Sequence, residues 1–194
     1  MSGLRIGVLV SGSGSNLQSV IDAVEVGKLR SKVVCILSNK EDAYGLVRAR
    51  KHGIPAYFMD PKEADYDERI LNCLQDYQVD LVVLAGYLKI VAPNMIEAYK
   101  GKIINIHPSL LPKFGGKGYY GIKVHEAVLV AQEIESGATV HFVDTGIDTG
   151  ETIIQGKVPV YENDTPSDLG RRVLYEVEHK ILVQAIKKLE EERA

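Results

Sequence analysis

The stretch LRIGVLVSGSGSNLQSVI, residues 4–21, decides the fold. Leu4 to Val10 is a short apolar run, which predicts a buried β-strand. The glycines and serines of residues 11–16 predict a tight turn directly after it. Apolar residues then recur at helical spacing, at Leu17, Val20 and Ile21. A buried strand that passes through a tight turn into a helix is the repeating unit of α/β folds.

The next hundred or so residues continue this alternation. Strand-like apolar runs follow at residues 32–38, 56–59, 81–85 and 102–106. Helical patterns lie between them, at residues 44–52, around residues 70–77 and after Pro93. Because the strands are apolar throughout, we expect a parallel sheet that helices cover on both faces, with right-handed crossovers.

The last third of the chain has a different pattern. Residues 139–143 and 152–160 are strand-like, and a loop rich in Gly, Asp and Thr separates them. From Thr165 to about Leu189, apolar residues line one face of a single long helix. We therefore predict an α/β fold in one domain over residues 1–194. Its sheet is Rossmann-like, doubly wound and mostly parallel, with a C-terminal antiparallel extension and a long final helix.

The composition is that of an ordinary globular protein, with 45% hydrophobic and 25% charged residues. The net charge of -3 argues against a general nucleic-acid binder. No apolar run approaches the roughly 18 residues of a membrane span. Met1, Ser2 and Gly3 lead directly into the first strand, so we expect no signal peptide. Cys35 and Cys73 lie in apolar stretches, which predicts buried thiols in the reducing cytoplasm, with a disulfide as the alternative.

The turn at residues 11–16 is a candidate binding site. Gly12 and Gly14 lie between a strand and a helix, where backbone N–H groups and the helix dipole favour an anion such as phosphate. The pattern is a poor dinucleotide fingerprint, because Leu17 stands where a third glycine is expected. The alternative is that the turn only starts the helix, with Ser15 and Gln18 as a capping box. The two interpretations are compatible.

A second candidate site lies where the fifth strand ends. Asn105 and His107 are two residues apart, so their side chains share a face at the carboxyl end of a strand, where open α/β sheets bind ligands. Histidine can shuttle a proton near neutral pH and an amide can donate to a developing oxyanion, which suits acyl-type transfer. Asp144 and Asp148 are the candidate supporting carboxylates. The alternative is a strand-end histidine with a structural role only.

The remaining histidines have no such setting. His52, His125, His141 and His179 are interpreted as packing, capping or surface residues. None has metal-ligand spacing with cysteine or glutamate, so we predict no metal site. No nucleophile elbow surrounds a serine, and neither cysteine has a histidine near it in sequence. An amine of the substrate is therefore the expected attacking group.

Five segments together resemble the folate-dependent formyltransferases, and the resemblance covers almost the whole chain. They are residues 11–18 (SGSGSNLQ), 84–91 (LAGYLKIV), 105–112 (NIHPSLLP), 140–143 (VHFV) leading to Asp148, and the pair Glu178-His179. Because the motifs occur together and in order, the match is far more specific than any one of them alone.

The resemblance implies a role for each matching position. His107 acts in proton transfer, Asn105 polarises the formyl oxygen, and Asp148 supports His107 or an ordered water. The residues implied for the ribonucleotide are Gly14, Ser15 and Asn16 at its phosphate and Glu178 elsewhere on it. The residues implied for the folate are Leu88, Lys89, Ile90, Val91, Asn105, Asp144, Thr145, Gly146, Ile147 and Asp148.

The implied reaction takes the formyl group of 10-formyltetrahydrofolate to the amine of glycinamide ribonucleotide. It proceeds by direct amine attack and needs no metal. The phosphate-binding half is expected at about residues 1–100 and the catalytic, folate-binding half at about residues 101–194. Small molecules are the expected partners, with neither nucleic acid nor membrane, and a monomer or weak homodimer is the expected assembly.

Three positions depart from the family pattern. The segment 114–121 is longer than the resemblance leads us to expect, so its loop is expected to close differently. Lys89 stands where arginine is common, which keeps the charge but loses the planar fork. A basic residue expected before the third helix falls on Glu63, and Lys62 is the candidate substitute.

Other functions stay open at this point. A formyltetrahydrofolate hydrolase shares the Asn, His and Asp machinery, but it normally has an N-terminal regulatory domain and lacks this Ser/Gly turn. A methionyl-tRNA formyltransferase shares the run at residues 107–112, but it needs a basic C-terminal domain. A non-catalytic module that binds a phosphorylated ligand belongs to another class, and an assay of turnover separates it from the enzymes.

Overall fold

The computed structural model describes residues 3–193, so Met1, Ser2 and Ala194 of the predicted domain lie outside the description. The strands are β1 (Arg5–Val10), β2 (Lys32–Ser38), β3 (Ala56–Phe58), β4 (Leu81–Leu84), β5 (Ile103–His107), β6 (Glu135–Phe142) and β7 (Thr152–Pro159). The α-helices are α1 (Ser15–Glu25), α2 (Tyr44–Lys51), α3 (Tyr66–Asp76), α4 (Pro93–Ala98), α5 (Ile122–Val130), α6 (Pro166–Val173) and α7 (His179–Glu192).

The strands form one sheet in the order β3-β2-β1-β4-β5-β6-β7. The pairs from β3 to β5 are all parallel. The pairs β5–β6 and β6–β7 are antiparallel. The predicted fold class is confirmed: the sheet is mostly parallel and carries an antiparallel extension at its C-terminal edge. Strand order reverses next to β1 and β4, which is where such sheets bind ligands.

Both faces of the sheet are buried, which explains the continuous apolar runs. Ile6, Val8 and Val10 of β1 belong to the core under α1, α2 and the C-terminal helices. Leu9, from the same strand, belongs to the core under α3 and α4. Successive side chains of a strand point to opposite faces, so one strand of apolar residues serves both cores.

Two elements between β5 and β7 differ from the prediction. The sequence prediction did not include helix α5. Its apolar residues are β-branched and alternate as in a strand: Ile122, Val124, Val128 and Val130. Strand β6 begins at Glu135, four residues before the predicted start. Its first residues, ESGA, lack the apolar character that marked the other strands, yet Ser136 and Ala138 are buried against β7.

The predicted long final helix is confirmed, and one π-helical turn lies within it. A capping box between Thr165 and Asp168 starts α6, and a π-helical turn, Leu174–Glu178, joins α6 to α7. The buried residues Leu169, Val173, Val177 and Ile181 are four positions apart. In an α-helix, four residues rotate about 40° beyond one full turn. Apolar residues spaced by four therefore drift around the helix, away from the core. A wider π turn corrects the drift.

Cys35 is buried, Cys73 is half-buried, and both are free thiols, as the first of the two sequence interpretations has it. Within residues 3–193, no helix combines the length and the apolar character needed to cross a membrane.

Candidate active site

A cleft of about 950 Å³ opens at the carboxyl ends of the central strands. Its walls come from the segments after β1, β4, β5 and β6 and from α5, α6 and the π turn. Asn105 and His107 enter it from the end of β5. Asp148 enters from the loop between β6 and β7. The three residues proposed for the reaction therefore meet in one cleft.

His107 is buried, and its ring is held through one nitrogen. Its Nε2–H donates to the carbonyl oxygen of Phe114 at 2.8 Å, and its Nδ1 lies 3.5 Å from the Asp148 carboxylate. Burial lowers the pKa of His107 and outweighs the opposing effects of Asp148 and the Phe114 carbonyl. The neutral ring keeps its proton on Nε2, because a carbonyl can only accept. Nδ1 is thus a bare lone pair next to a carboxylate, ready to take a proton.

Asp148 has a left-handed backbone conformation, with φ 57°. Its Oδ2 accepts a hydrogen bond from the Gly116 N–H at 2.9 Å, so the loop after β5 ties the carboxylate in place. Burial raises the pKa of Asp148, but the rings of His141 and His107 and the Gly116 N–H lower it more, so the net pKa is below its usual value. The carboxylate therefore stays ionised and can stabilise a protonated His107.

His141 also belongs to this cluster, which corrects its interpretation as a packing, capping or surface residue. It lies opposite Asn105 in the β5–β6 ladder. Its Nδ1–H donates to the Phe142 carbonyl at 2.8 Å, so its Nε2 accepts from the Asn105 amide at 3.1 Å. One amide N–H of Asn105 is thereby held. The other has only a long contact of 3.5 Å with Asp148 and is available to a ligand. Strand register was the signal: an antiparallel partner had to lie beside Asn105.

The turn before α1 is built as an uncapped helix start. Gly14 is the N-cap in the left-handed conformation, φ 67°, and a Cβ there would lie 2.6 Å from the Cα of Gly45. No side chain caps this helix, so the predicted Ser15–Gln18 capping box is wrong. The Gln18 amide instead bonds to Asp22 and His52. The first backbone N–H groups of α1 are left to a ligand.

Asn16 and Glu178 form a buried pair at this end of the cleft. The Asn16 amide donates to the Glu178 carboxylate at 2.6 Å, and its own Oδ1 is buried without a partner among residues 3–193. Burial raises the pKa of Glu178 to about 7, although the Asn16 bond acts to lower it. Asn16 Oδ1 and the Glu178 carboxyl thus have unused hydrogen-bonding capacity beside the cleft, which suits hydroxyl or amine groups of a ligand.

The two segments predicted for the folate both line the cleft. They are residues 88–91 and 144–148. Leu88 and Ile90 are 54% and 76% exposed, so one wall presents apolar side chains to an incoming molecule. The Leu88 N–H donates to Ser11 Oγ at 2.8 Å, which links this wall to the turn after β1. Lys89 places its ammonium over the Tyr66 ring, 4.7 Å from the centroid.

The structure gives a location to two of the segments that depart from the family pattern. Glu63 pairs with Arg69 of α3, so its charge is compensated locally. The loop after β5 supplies the Phe114 carbonyl to His107 and the Gly116 N–H to Asp148, and it lines the cleft as far as Gly121. This loop is therefore part of the site. In the part of the chain that is described, no three His, Cys, Asp or Glu side chains are grouped to hold a metal ion.

Comparisons with known proteins agree on one family. The model of the formyl transferase family matches residues 4–186. A chloroplastic phosphoribosylglycinamide formyltransferase of Vigna unguiculata is 45% identical over 97% of this chain, and the match spans 62% of the plant protein. The phosphoribosylglycinamide formyltransferase of Haemophilus influenzae is 43% identical over 94% of this chain and 85% of its own length. Glycinamide ribonucleotide transformylase 1 of Symbiobacterium toebii superposes with a TM-score of 0.92 at 44% identity, over 98% of this chain and 89% of that one.

Proposed function

Because the chain belongs to the formyl transferase family, we propose that it transfers the formyl group of 10-formyltetrahydrofolate to the amine of glycinamide ribonucleotide. The products are formylglycinamide ribonucleotide and tetrahydrofolate, a step of purine biosynthesis. The observation that carries the proposal is the meeting of Asn105, His107 and Asp148 in a cleft whose other end is an uncapped helix start. Relatives that act on this ribonucleotide support the choice of acceptor.

The geometry of the three residues supports a direct transfer. The free amine attacks the formyl carbon. The developing oxyanion accepts a hydrogen bond from the Asn105 N–H that does not bond to His141. Nδ1 of His107 takes the proton that the amine loses, and Asp148, 3.5 Å away, stabilises the resulting cation. As the bond from the formyl carbon to N10 of the folate breaks, N10 receives that proton. One C–N bond forms, one breaks, and no net proton is consumed.

The ribonucleotide is proposed to lie along the turn after β1. The N–H groups of Ser15 and Asn16, behind Gly14, would bind the phosphate at the positive end of α1. The Asn16–Glu178 pair would accept hydrogen bonds from the sugar hydroxyls. An anchored phosphate and an anchored sugar hold the amine close to the formyl carbon, which removes much of the entropic barrier.

The folate is proposed to occupy the other wall. Residues 88–91 and 144–148 would hold its ring system between apolar side chains and backbone groups, and Lys89 offers a positive charge to its acidic tail. We further propose that no metal takes part, that residues 1–194 act as one domain, and that the protein works in the cytoplasm as a monomer or weak homodimer. The free thiols Cys35 and Cys73 fit a reducing compartment.

One assay tests the proposal against its alternatives. Tetrahydrofolate release from 10-formyltetrahydrofolate is followed with and without glycinamide ribonucleotide. We expect release only when the ribonucleotide is present, in equal amount with the formylated product, and faster as rising pH frees the amine. Equal release without the ribonucleotide would identify a hydrolase. Binding of either ligand without any turnover would identify a non-catalytic module.

A further inference from the structure

The cleft contains a histidine to which the proposed reaction gives no role. His125 lies in α5, which packs against α6, and its side chain lines the cleft although the residue is only 5% exposed. This placement is more specific than the packing, capping or surface role that the sequence suggested. The ring stands on the wall that α5 and α6 form together.

Gly170 of α6 makes room for this ring. A Cβ at Gly170 would lie 2.9 Å from Cδ2 and 3.2 Å from Nε2 of His125. Glycine inside a helix lowers helix stability relative to alanine. Its presence at this contact indicates that close packing of the ring compensates for that loss. The edge of the ring that carries Nε2 is therefore held against the backbone of α6, and both residues line the cleft.

The ring has an unmet hydrogen-bonding capacity. Nδ1 is fully enclosed and has no partner within residues 3–193. Burial lowers the pKa of His125 to about 4, with a smaller contribution from nearby His107, so the ring is neutral at physiological pH. A neutral ring has one N–H. An enclosed Nδ1 without an acceptor favours the tautomer with the proton on Nε2, which leaves a donor toward the cleft.

The wall that holds His125 belongs to the ribonucleotide end of the cleft. Helix α6 continues into the π turn, whose last residue is Glu178, and Glu178 is bonded to Asn16 next to the phosphate turn. His125 also lies within electrostatic reach of His107. A molecule that extends from the phosphate turn to the reacting residues would pass this ring.

We propose that His125 binds the ribonucleotide: its Nε2–H donates a hydrogen bond to an oxygen of the sugar or of the glycinamide carbonyl. The proposal rests on the proposed function for the identity of the ligand. His125 takes no proton in the reaction. It is a binding residue that fixes how far the amine reaches toward the formyl carbon.

Two substitutions separate this role from simple packing. The amide nitrogen of His125→Gln can reach the position of Nε2, whereas that of His125→Asn is shorter and reaches only the position of Nδ1. Calorimetric titration of the unliganded protein with glycinamide ribonucleotide should give a Kd about tenfold weaker for His125→Asn, the scale of one lost hydrogen bond. His125→Gln should keep most of the affinity, and both variants should bind the folate as the parent protein does. Equal affinity in all three proteins, or equal losses in both variants, would overturn the proposal.

Gly170→Ala provides a second route if His125→Asn does not fold. The methyl group of alanine displaces the ring, while alanine's better helix propensity offsets part of the cost of that clash, so we expect weaker ribonucleotide binding in a protein that still folds. Unchanged binding in Gly170→Ala would also count against the proposal. Titration needs no turnover, so the two proposals fail separately. If the ribonucleotide binds through His125 without formyl transfer, only the proposed function fails; if transfer is normal in His125→Asn and binding is unchanged, only this inference fails.

Discussion

The two ends of the cleft differ in how their polar groups are satisfied. At the reaction end, His107 bonds to a backbone carbonyl, Asp148 to a backbone N–H, and Asn105 to His141. At the ribonucleotide end, Asn16 Oδ1 and His125 Nδ1 are enclosed without partners among the described residues, and α1 starts without a side-chain cap. The side chains of the reaction end are held by protein groups before any ligand arrives, whereas the ribonucleotide end leaves more of its buried groups without a protein partner.

This difference assigns different tasks to the two ends. A network whose members hold one another keeps its geometry during the reaction and needs no reorganisation when charge develops. Buried groups left unpaired lower stability, and a ligand that pairs with Asn16 and with the first N–H groups of α1 recovers part of that loss. Substitutions at the reaction end should therefore change kcat, whereas those at the ribonucleotide end should change binding or the stability of the free protein.

His107→Ala should have the largest effect. The loss of the proton acceptor is expected to lower kcat by at least ~10²-fold, the usual scale for general acid–base catalysis. Titrations with each substrate should give nearly unchanged Kd values, because the ring contacts Phe114 and Asp148 of the protein itself. A folded variant with near-normal kcat would remove His107 from the mechanism.

Glu178→Gln tests the ribonucleotide end through stability. The pKa of Glu178 is raised from 4.5 to about 7, so between these values the native carboxyl holds a proton that the unfolded chain has released. Stability contributed by this group is therefore present below pH 4.5, falls as the pH rises to about 7, and is then level. The difference is about 3 kcal/mol.

Denaturant unfolding of the ligand-free parent and variant, between pH 4.5 and 8, measures this effect. The variant should gain stability relative to the parent as the pH rises, and the comparison cancels the opposite trend from the histidines with lowered pKa. A constant difference across the range would mean that the buried carboxyl is not protonated at neutral pH.

Asp148→Asn should lower kcat by about 10- to 100-fold, since a charged partner of His107 is lost while the amide can still accept from Gly116. Both ligands should still bind. Because the carboxylate raises the pKa of His107, its removal should shift the acidic limb of the pH–rate profile, where the ring loses its proton, to lower pH. A fall in kcat without any shift would assign Asp148 to loop anchoring instead.

Gly12→Asp should have the smallest effect. No atom lies within 4 Å of a Cβ at Gly12, so the change adds charge without a clash. A carboxylate at the turn should repel the phosphate and weaken ribonucleotide binding by roughly tenfold, less at high salt, without affecting the folate. Gly12→Ser is the matched neutral control. Equal losses for both ligands would dissociate the turn from the phosphate.

The sequence predicts the parallel half of the fold well and the other half less completely. β2 and β4 match the predicted ranges within a residue, because strands buried on both faces need continuous apolar residues. Asn105, His107 and Asp148 meet as expected, since the ends of strands converge at one edge. Helix α5 was missed, because its β-branched residues mimic a strand and tertiary packing on α6 overrides that preference.

The site was harder to predict where it depends on long-range partners. The role of His141 follows from the β5–β6 register, which hydrophobic periodicity does not reveal. The capping box at Ser15 was wrong because Gly14, in a conformation that favours glycine, ends the turn one residue earlier. His125 faces the cleft only because α6 carries a glycine opposite to it. The placements of His141 and His125 depend on residues far apart in the chain, whereas the start of α1 depends on the local conformation of Gly14.

The π turn makes the length of the final helix adjustable by one residue. A turn that contains an extra residue can lose it and become ordinary α-helix while the segments on both sides keep their orientation. Tyr175 packs edge-on against the ring of His179, so the exposed Glu176 is the residue whose loss would disturb the least packing. Relatives with the same cleft are therefore expected to differ by a single-residue gap between Val173 and Glu178. In such an alignment, the residue equivalent to Glu178 is the glutamate at the same position in the cleft, although it lies one residue closer to the start of the helix.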